Sequence, residues 1–358
     1  MSPPAPPVGD VFLLGFEGTA PDPALREWFE AIRPGGVILF ARNITSPEQV
    51  ADLTATLQRW RGGSPLLVAV DQEGGRVSRF GPPFTVFPGS GAVGRAGDPR
   101  LAERVGRVLG RELKAVGVTV NLAPVLDLRS GPENPVLGER CLGGDPATVA
   151  RLGAALIRGM QEAGVAATAK HFPGHGGTAV DSHEALPVVP GDAAWLSRTA
   201  LAPFRAAVAA GVAGIMTAHV RYPALDPDLP ATLSPRLLAL LREDLGFGGA
   251  AVSDDLLMGA ITERWPAEEA AVLAFEAGVD FLLVSGDAAV QARAVAAVER
   301  ALGTGRLPGS RLAEAAARLE GVRRRVGPPR PLPPAPLRAL LGCPEHQAAA
   351  AALTPWAG

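Results

Sequence analysis

Lysine is almost missing from this chain. Of its 34 basic residues only Lys114 and Lys170 are lysines, and the rest are arginines. Against 36 acidic residues this leaves a formal net charge of −2, so the basic surplus that binds nucleic acid or other polyanions is lacking. Cysteine is scarce too. Cys141 and Cys343 lie far apart, which argues against a disulfide framework and fits a reducing, cytoplasmic setting. The opening MSPPAPPVGD has neither the basic nor the apolar stretch of a secretory signal, so none is expected. No apolar run reaches the roughly 18 residues of a membrane span, and no membrane partner is expected. No GxGxxG follows the first apolar run, and neither GxxxxGKS nor GxxxxGKT occurs, which weakens a nucleotide-binding reading.

What remains is the composition of a globular domain with a good core, 47% hydrophobic and 20% charged. Short apolar runs recur at residues 11–14, 37–40, 66–70, 118–122, 165–169, 214–216, 250–252 and 281–284. Residues 66–70 are apolar throughout, as a strand buried on both faces is. Helical periodicity fills the gaps. Val50, Leu53, Leu57 and Trp60 follow a capping box at Ser46-Pro47-Glu48-Gln49, and Val149, Leu152, Leu156 and Met160 form another stripe. Strict strand-helix alternation predicts an α/β fold with a parallel sheet. Eight units predict closure into a single-domain (β/α)8 TIM-type barrel over residues 1–326, with an open doubly wound sheet as the alternative. From about Gly327 the chain turns Pro- and Ala-rich. Residues 327–358 read as a tail, extended on the barrel or loose, with at most a short helix around residues 346–353.

Reactive side chains concentrate in residues 169–186, AKHFPGHGGTAVDSHEAL. This stretch holds three of the five histidines and one of the two lysines. Pro173-Gly174 and Gly176-Gly177 forbid a helix there. The stretch therefore reads as a loop at the carboxyl end of the fifth strand, where α/β barrels bind ligands. Other strand ends carry Asp71 and Arg79, Asp127 and Arg140, His219, and Asp254 with Asp255. A chain that writes arginine nearly everywhere keeps lysine at 170, as a need for a compact, flexible ammonium would require.

Such a mouth, without a phosphate-cradling glycine loop, suits a polar uncharged substrate such as a sugar. Three readings compete. His171, His175, His183 and His219 could serve metal-assisted hydrolysis. Against it, Pro173 and Gly174 keep His171 and His175 off a common helical face, and no HxH pair is present. Asp254 could act in glycoside cleavage with a separate acid. A sugar-binding barrel without catalysis is the third. Spacing alone does not separate Asp254 from Asp255.

The segments VAVDQEGGRVSRF, NLAPVLDL, AKHFPGHG with DSH, IMTAHV and AAVSDDLLMGAI occur in that order along the strand ends. Together they resemble family 3 of the glycoside hydrolases, and more narrowly its NagZ-type β-N-acetylglucosaminidases, over residues 9–284. The resemblance implies a retaining exo-β-N-acetylglucosaminidase that needs no cofactor and no metal. Its substrate would be a GlcNAc-containing oligosaccharide or a muropeptide from peptidoglycan recycling. Asp254 would be the nucleophile, His183 the general acid/base and Asp181 its partner. Asp71, Arg79, Arg140, Lys170 and His171 would bind substrate, and His175 and His219 would be structural. Many members carry a second domain that helps supply the acid. At this length a barrel loop is expected to supply it instead. The chemistry is sound, because imidazole titrates near 6.5 and a carboxylate on its other nitrogen fixes the tautomer. A β-glucosidase, a β-xylosidase or a phosphorylase of the same family are alternatives. A neutral histidine acid, unlike a carboxylate, does not repel an incoming phosphate. Two departures stand out. Gly177 replaces the acidic residue of a GHGDT loop, and Cys141-Leu142 replaces Ser-Phe or Ala-Phe.

Overall fold

Many helices of this protein begin on a two-residue signal, Asp or Ser followed by Pro. The side chains of Asp22, Ser46, Asp98, Asp145 and Ser234 each accept a hydrogen bond from a backbone N–H of the first turn. The following proline brings a preset φ and no N–H to leave unpaired. At Ser46 the capping box is only half formed, because Gln49 Oε1 accepts from Thr45 N, one residue before the cap.

The computed structural model describes residues 6–129, 137–176, 185–190 and 192–357. The chain runs through β1 (Phe12–Leu14), α1 (Pro23–Ile32), β2 (Gly36–Leu39), α2 (Pro47–Arg61) and β3 (Leu67–Val70). A hairpin of β4 (Gln72–Gly74) and β5 (Val77–Ser78) follows, then α3 (Ser90–Ala96), α4 (Pro99–Ala115) and β6 (Val120–Asn121). Next come α5 (Pro146–Glu162), β7 (Ala166–Phe172), α6 (Ala193–Arg198), α7 (Leu201–Ala209) and β8 (Gly214–Thr217). A second hairpin, β9 (Arg221–Tyr222) and β10 (Asp226–Pro230), precedes α8 (Pro235–Ala239), β11 (Ala250–Ser253), α9 (Gly259–Thr262), α10 (Ala267–Ala277) and β12 (Leu282–Val284). Helices α11 (Ala288–Gly303), α12 (Gly309–Val326), α13 (Pro334–Leu340) and α14 (Pro344–Ala351) follow.

The parallel sheet has the order β11-β8-β7-β6-β3-β2-β1-β12. A parallel bridge between Val252 and Phe281 joins its two ends, which gives the (β/α)8 barrel that the alternation predicts. Two buried carboxylates lock the floor where β1 and β12 meet. Arg323 grips Asp10 through both terminal nitrogens, at 3.0 and 2.8 Å, and Arg61 adds a further contact. Arg311 and Arg318 reach Asp280 at 2.8 and 3.0 Å, beside Arg242. Three of these arginines lie on α12, so one helix ties together the chain entering β1 and the chain entering β12. The planar guanidinium fork suits this work better than an ammonium.

Strand β7 is longer than its sequence suggests. It continues through Lys170, His171 and Phe172, which therefore stand on the barrel wall and not on a loop. The polar residues keep strand geometry because the segment after β6 continues to pair with them. Lys170 N donates to Pro124 O at 3.1 Å, and Lys170 O accepts from Leu126 N at 2.7 Å.

The tail is neither extended nor loose. Pro334 and Pro344 open α13 and α14, and Leu337, Ala349 and Leu353 are fully buried. His346 Nδ1 meets Glu112 of α4 at 2.8 Å, and the same carboxylate accepts from Thr85 and from Gly342 N. Proline here starts helices, and the apolar residues between the prolines pay their entropy by burial.

Candidate active site

The hairpin after β3 aims alternate residues at one spot, as the two-residue period of extended chain requires. Asp71 and Glu73 both reach Lys170 Nζ, at 2.8 and 2.7 Å. Gln72, between them, turns away and holds the loop: its Oε1 accepts from Arg79 N and Phe80 N, and its Nε2 donates to Phe80 O. Asn121 clamps the Gln72 backbone from both sides, at 3.0 and 2.9 Å, so it is a fold-forming residue. The left-handed turn at Gly74-Gly75 lies so close to the 87–89 segment that a Cβ on Gly74 would sit 2.7 Å from Pro88 O. Arg140 closes the group with a two-pronged contact to Glu73, Nε to Oε2 and Nη2 to Oε1, both 2.9 Å. Arg79 stands further off, 3.6 Å from Asp71.

A second row crosses the barrel mouth. Asp127, fully buried, accepts from His171 Nδ1 at 2.7 Å and from the backbone N–H of His171 and His175 at 3.2 and 2.6 Å. That carboxylate fixes the hydrogen on Nδ1 and turns Nε2 towards Asp254, whose Oδ2 is 3.9 Å away. Burial tends to raise the Asp127 pKa, but the facing His171 and its hydrogen bonds bring it below the usual carboxylate range.

The structure separates the two adjacent aspartates. Asp255 Oδ1 accepts from Leu257 N and Ser285 N, and its Oδ2 takes the Ser285 hydroxyl. It caps the strand end, half-buried, and the loss of solvent there raises its pKa. Among the described residues Asp254 Oδ1 accepts only from Asp255 N, at 2.8 Å, and the side chain keeps 20% exposure to the pocket. Burial tends to raise its pKa too, but His171, His219, that N–H and Lys170 outweigh it, and it stays ionised.

A pocket of about 160 Å³ brings together Asp71, Glu73, Arg79, Arg140, Lys170, His171 and Asp254. All but one of these are residues the sequence singles out as chemical. Asp181 and His183 lie outside the described residues. Glu73 is the functional candidate the sequence reading passes over. His219 is buried with both ring nitrogens engaged, Nδ1 with Thr232 Oγ1 and Nε2 donating to Asp255 O, both 2.8 Å. Burial lowers the pKa of His219 and of His175, which keeps them neutral. Among the described residues no cluster of His, Cys, Asp or Glu is placed to hold a metal ion.

Glu73 is almost inaccessible, yet Lys170 and Arg140 overcome the cost of its burial and hold its pKa near 2 against an ordinary 4.5. A depressed carboxylate contributes stability above its unfolded pKa and loses it as pH falls towards the folded one. That loss is roughly 3 kcal/mol between pH 4.5 and 2. Urea titrations at pH 5 and pH 3 are expected to show about 2 kcal/mol of it in the wild type and a shallower loss in Glu73→Gln. Equal slopes would refute this account of Glu73.

Comparisons with known proteins agree with this architecture. Residues 11–322 match the glycosyl hydrolase family 3 N terminal domain. A β-hexosaminidase of Alkalilimnicola ehrlichii is 43% identical over 279 residues, 76% of this chain and 79% of its own length. A β-hexosaminidase of Nitrosomonas eutropha is 42% identical over 259 residues, 71% of this chain and 74% of its own. Among solved structures, a family 3 β-N-acetylglucosaminidase from Paenibacillus sp. superposes with a TM-score of 0.92 at 41% identity, over 98% of this chain and 68% of its own. The chain belongs to glycosyl hydrolase family 3.

Proposed function

We propose that this chain is a retaining exo-β-N-acetylglucosaminidase that removes terminal GlcNAc from peptidoglycan fragments in the cytoplasm. The observation that carries the reading is Asp254, an ionised carboxylate with one oxygen turned into a polar pocket while its neighbour Asp255 is consumed in structure. The names of the relatives supply the sugar.

Asp254 attacks the anomeric carbon, and the glycosidic oxygen leaves with a proton from His183, oriented by Asp181. The resulting glycosyl ester is attacked by water that gives its proton back to His183, with net retention. Asp71 accepts hydrogen bonds from the distal hydroxyls. Lys170, His171, Arg79 and Arg140 hold the ring, and His171 also lies against the nucleophile. No step calls for a cofactor. The barrel, residues 1–326, carries this chemistry, and the 327–358 tail braces it.

A structure named as β-glucoside phosphorylase BglX superposes with a TM-score of 0.85 at 27% identity, so phosphate is the competing acceptor. The test is release of phenol from an aryl β-N-acetylglucosaminide and from the matching β-glucoside, each with and without EDTA and phosphate. Release from the N-acetyl substrate alone, unchanged by EDTA and by phosphate, is expected. A phosphate-dependent sugar 1-phosphate would make the chain a phosphorylase, and loss with EDTA would restore the metal reading.

A further inference from the structure

The pocket contains three fixed cations, Arg79, Arg140 and Lys170, and three carboxylates, Asp71, Glu73 and Asp254, among its described lining residues. Glu73 is distinctive in this set. Its Oε1 takes Lys170 Nζ at 2.7 Å and Arg140 Nη2 at 2.9 Å, and its Oε2 takes Arg140 Nε at 2.9 Å. Both oxygens are spent on cations, and the side chain is 1% exposed. It is therefore poorly placed to bind sugar. Its charge is secure at working pH, because the two cations hold its pKa near 2.

We propose that Glu73 is a specificity-determining residue that closes this pocket to anions. It positions Lys170 and Arg140 for sugar hydroxyls and cancels the charge with which those two side chains would otherwise capture phosphate. Lys170 has three N–H groups, and two already face Asp71 and Glu73. Arg140 gives Glu73 the two-pronged face with which a guanidinium grips phosphate. A pocket balanced in this way favours an uncharged glycoside and lets water, not phosphate, be the acceptor. The inference rests on the pocket being the glycosidase site proposed above, but its test measures anion binding and not turnover.

The experiment is calorimetric titration of the full-length wild type, Glu73→Gln, Glu73→Asp and the Glu73→Gln/Arg140→Gln pair with inorganic phosphate at pH 7 and low ionic strength, where charge effects are least screened. Glu73→Gln is expected to bind phosphate at least tenfold more tightly than the wild type. Glu73→Asp, which keeps the charge, and the double variant, which restores the balance, are expected to stay near the wild type. With an uncharged aryl substrate, phosphate should raise KM in Glu73→Gln without changing kcat. A folded Glu73→Gln that gains no phosphate affinity, or a double variant that keeps the gain, would overturn the proposal. Millimolar phosphate binding by the wild type would overturn it without any variant, so a Glu73→Gln that fails to fold does not rescue it. Failure of the wild type to cleave the N-acetyl substrate, with the phosphate results as expected, would instead count against the proposed substrate.

Discussion

Asp254→Ala is expected to lower kcat on an aryl β-N-acetylglucosaminide by on the order of 10⁴-fold or more while leaving a cooperative, folded protein. The asymmetry of the two aspartates supports both halves of this expectation. Removing the Asp254 carboxylate orphans one backbone donor, Asp255 N, a cost of about 1 kcal/mol. Removing Asp255 orphans Leu257 N, Ser285 N and the Ser285 hydroxyl, a cost of about 2–3 kcal/mol. Asp255→Ala should therefore melt earlier and, below its melting point, retain most of its turnover. Azide separates a missing nucleophile from a damaged site. It can enter the space vacated in Asp254→Ala, attack the anomeric carbon from the same face and leave an α-glycosyl azide. An active Asp254→Ala beside an inactive but folded Asp255→Ala would reverse the assignment.

The barrel was legible because two independent signals agreed. Short, mainly apolar runs recur eight times, and stripes of helical periodicity lie between them. The mouth was legible because it collects charge at the strand ends, where an apolar wall stops. Lys170 illustrates this well: one of two lysines in an arginine-writing chain, it turns out to be a buried ammonium between two carboxylates. Its place on the strand and not on a loop was hidden, because pairing with residues 124–126 is a contact between distant segments. Glu73 was hidden for a similar reason. Its spacing of two from Asp71 puts it on the same face, but nothing local says that Arg140, 67 residues away, arrives to meet it. In the sequence Asp127 is only a polar residue at a strand end, which fits a structural or a chemical role equally. The structure gives it both, since one carboxylate holds two backbone donors and orients His171. In the tail the short helix expected around residues 346–353 is present as α14, but α13 was missed because proline content was taken as extended chain. Proline in a first helical turn means the opposite, and only the burial of Leu337, His346 and Leu353 shows which meaning applies.

His183→Ala is expected to lower kcat/KM by 10²- to 10⁴-fold for substrates with poor leaving groups, such as an alkyl glycoside or a disaccharide. For a dinitrophenyl glycoside, which departs without a proton, the loss in kcat/KM should stay below about tenfold. The argument is one of leaving-group charge. An alkoxide cannot depart from the anomeric carbon at neutral pH unless a proton arrives with the bond cleavage, whereas a nitrophenolate is already stable. Asp254 is untouched in this variant, so the glycosyl ester still forms from the activated substrate. Water then attacks it without a base, so the ester accumulates, and its mass on the protein can be read directly. Azide, which needs no base, should raise kcat in this variant and give a β-glycosyl azide, the opposite anomer to that expected from Asp254→Ala. Asp181→Ala should show the same leaving-group pattern with a smaller loss, because the imidazole remains and only its orientation and basicity suffer. Equal losses on the alkyl and dinitrophenyl substrates would mean that His183 binds sugar and does not protonate the leaving group. The acid would then have to be sought among the histidines on the barrel wall, of which His171, with Nε2 3.9 Å from Asp254, is the first to examine.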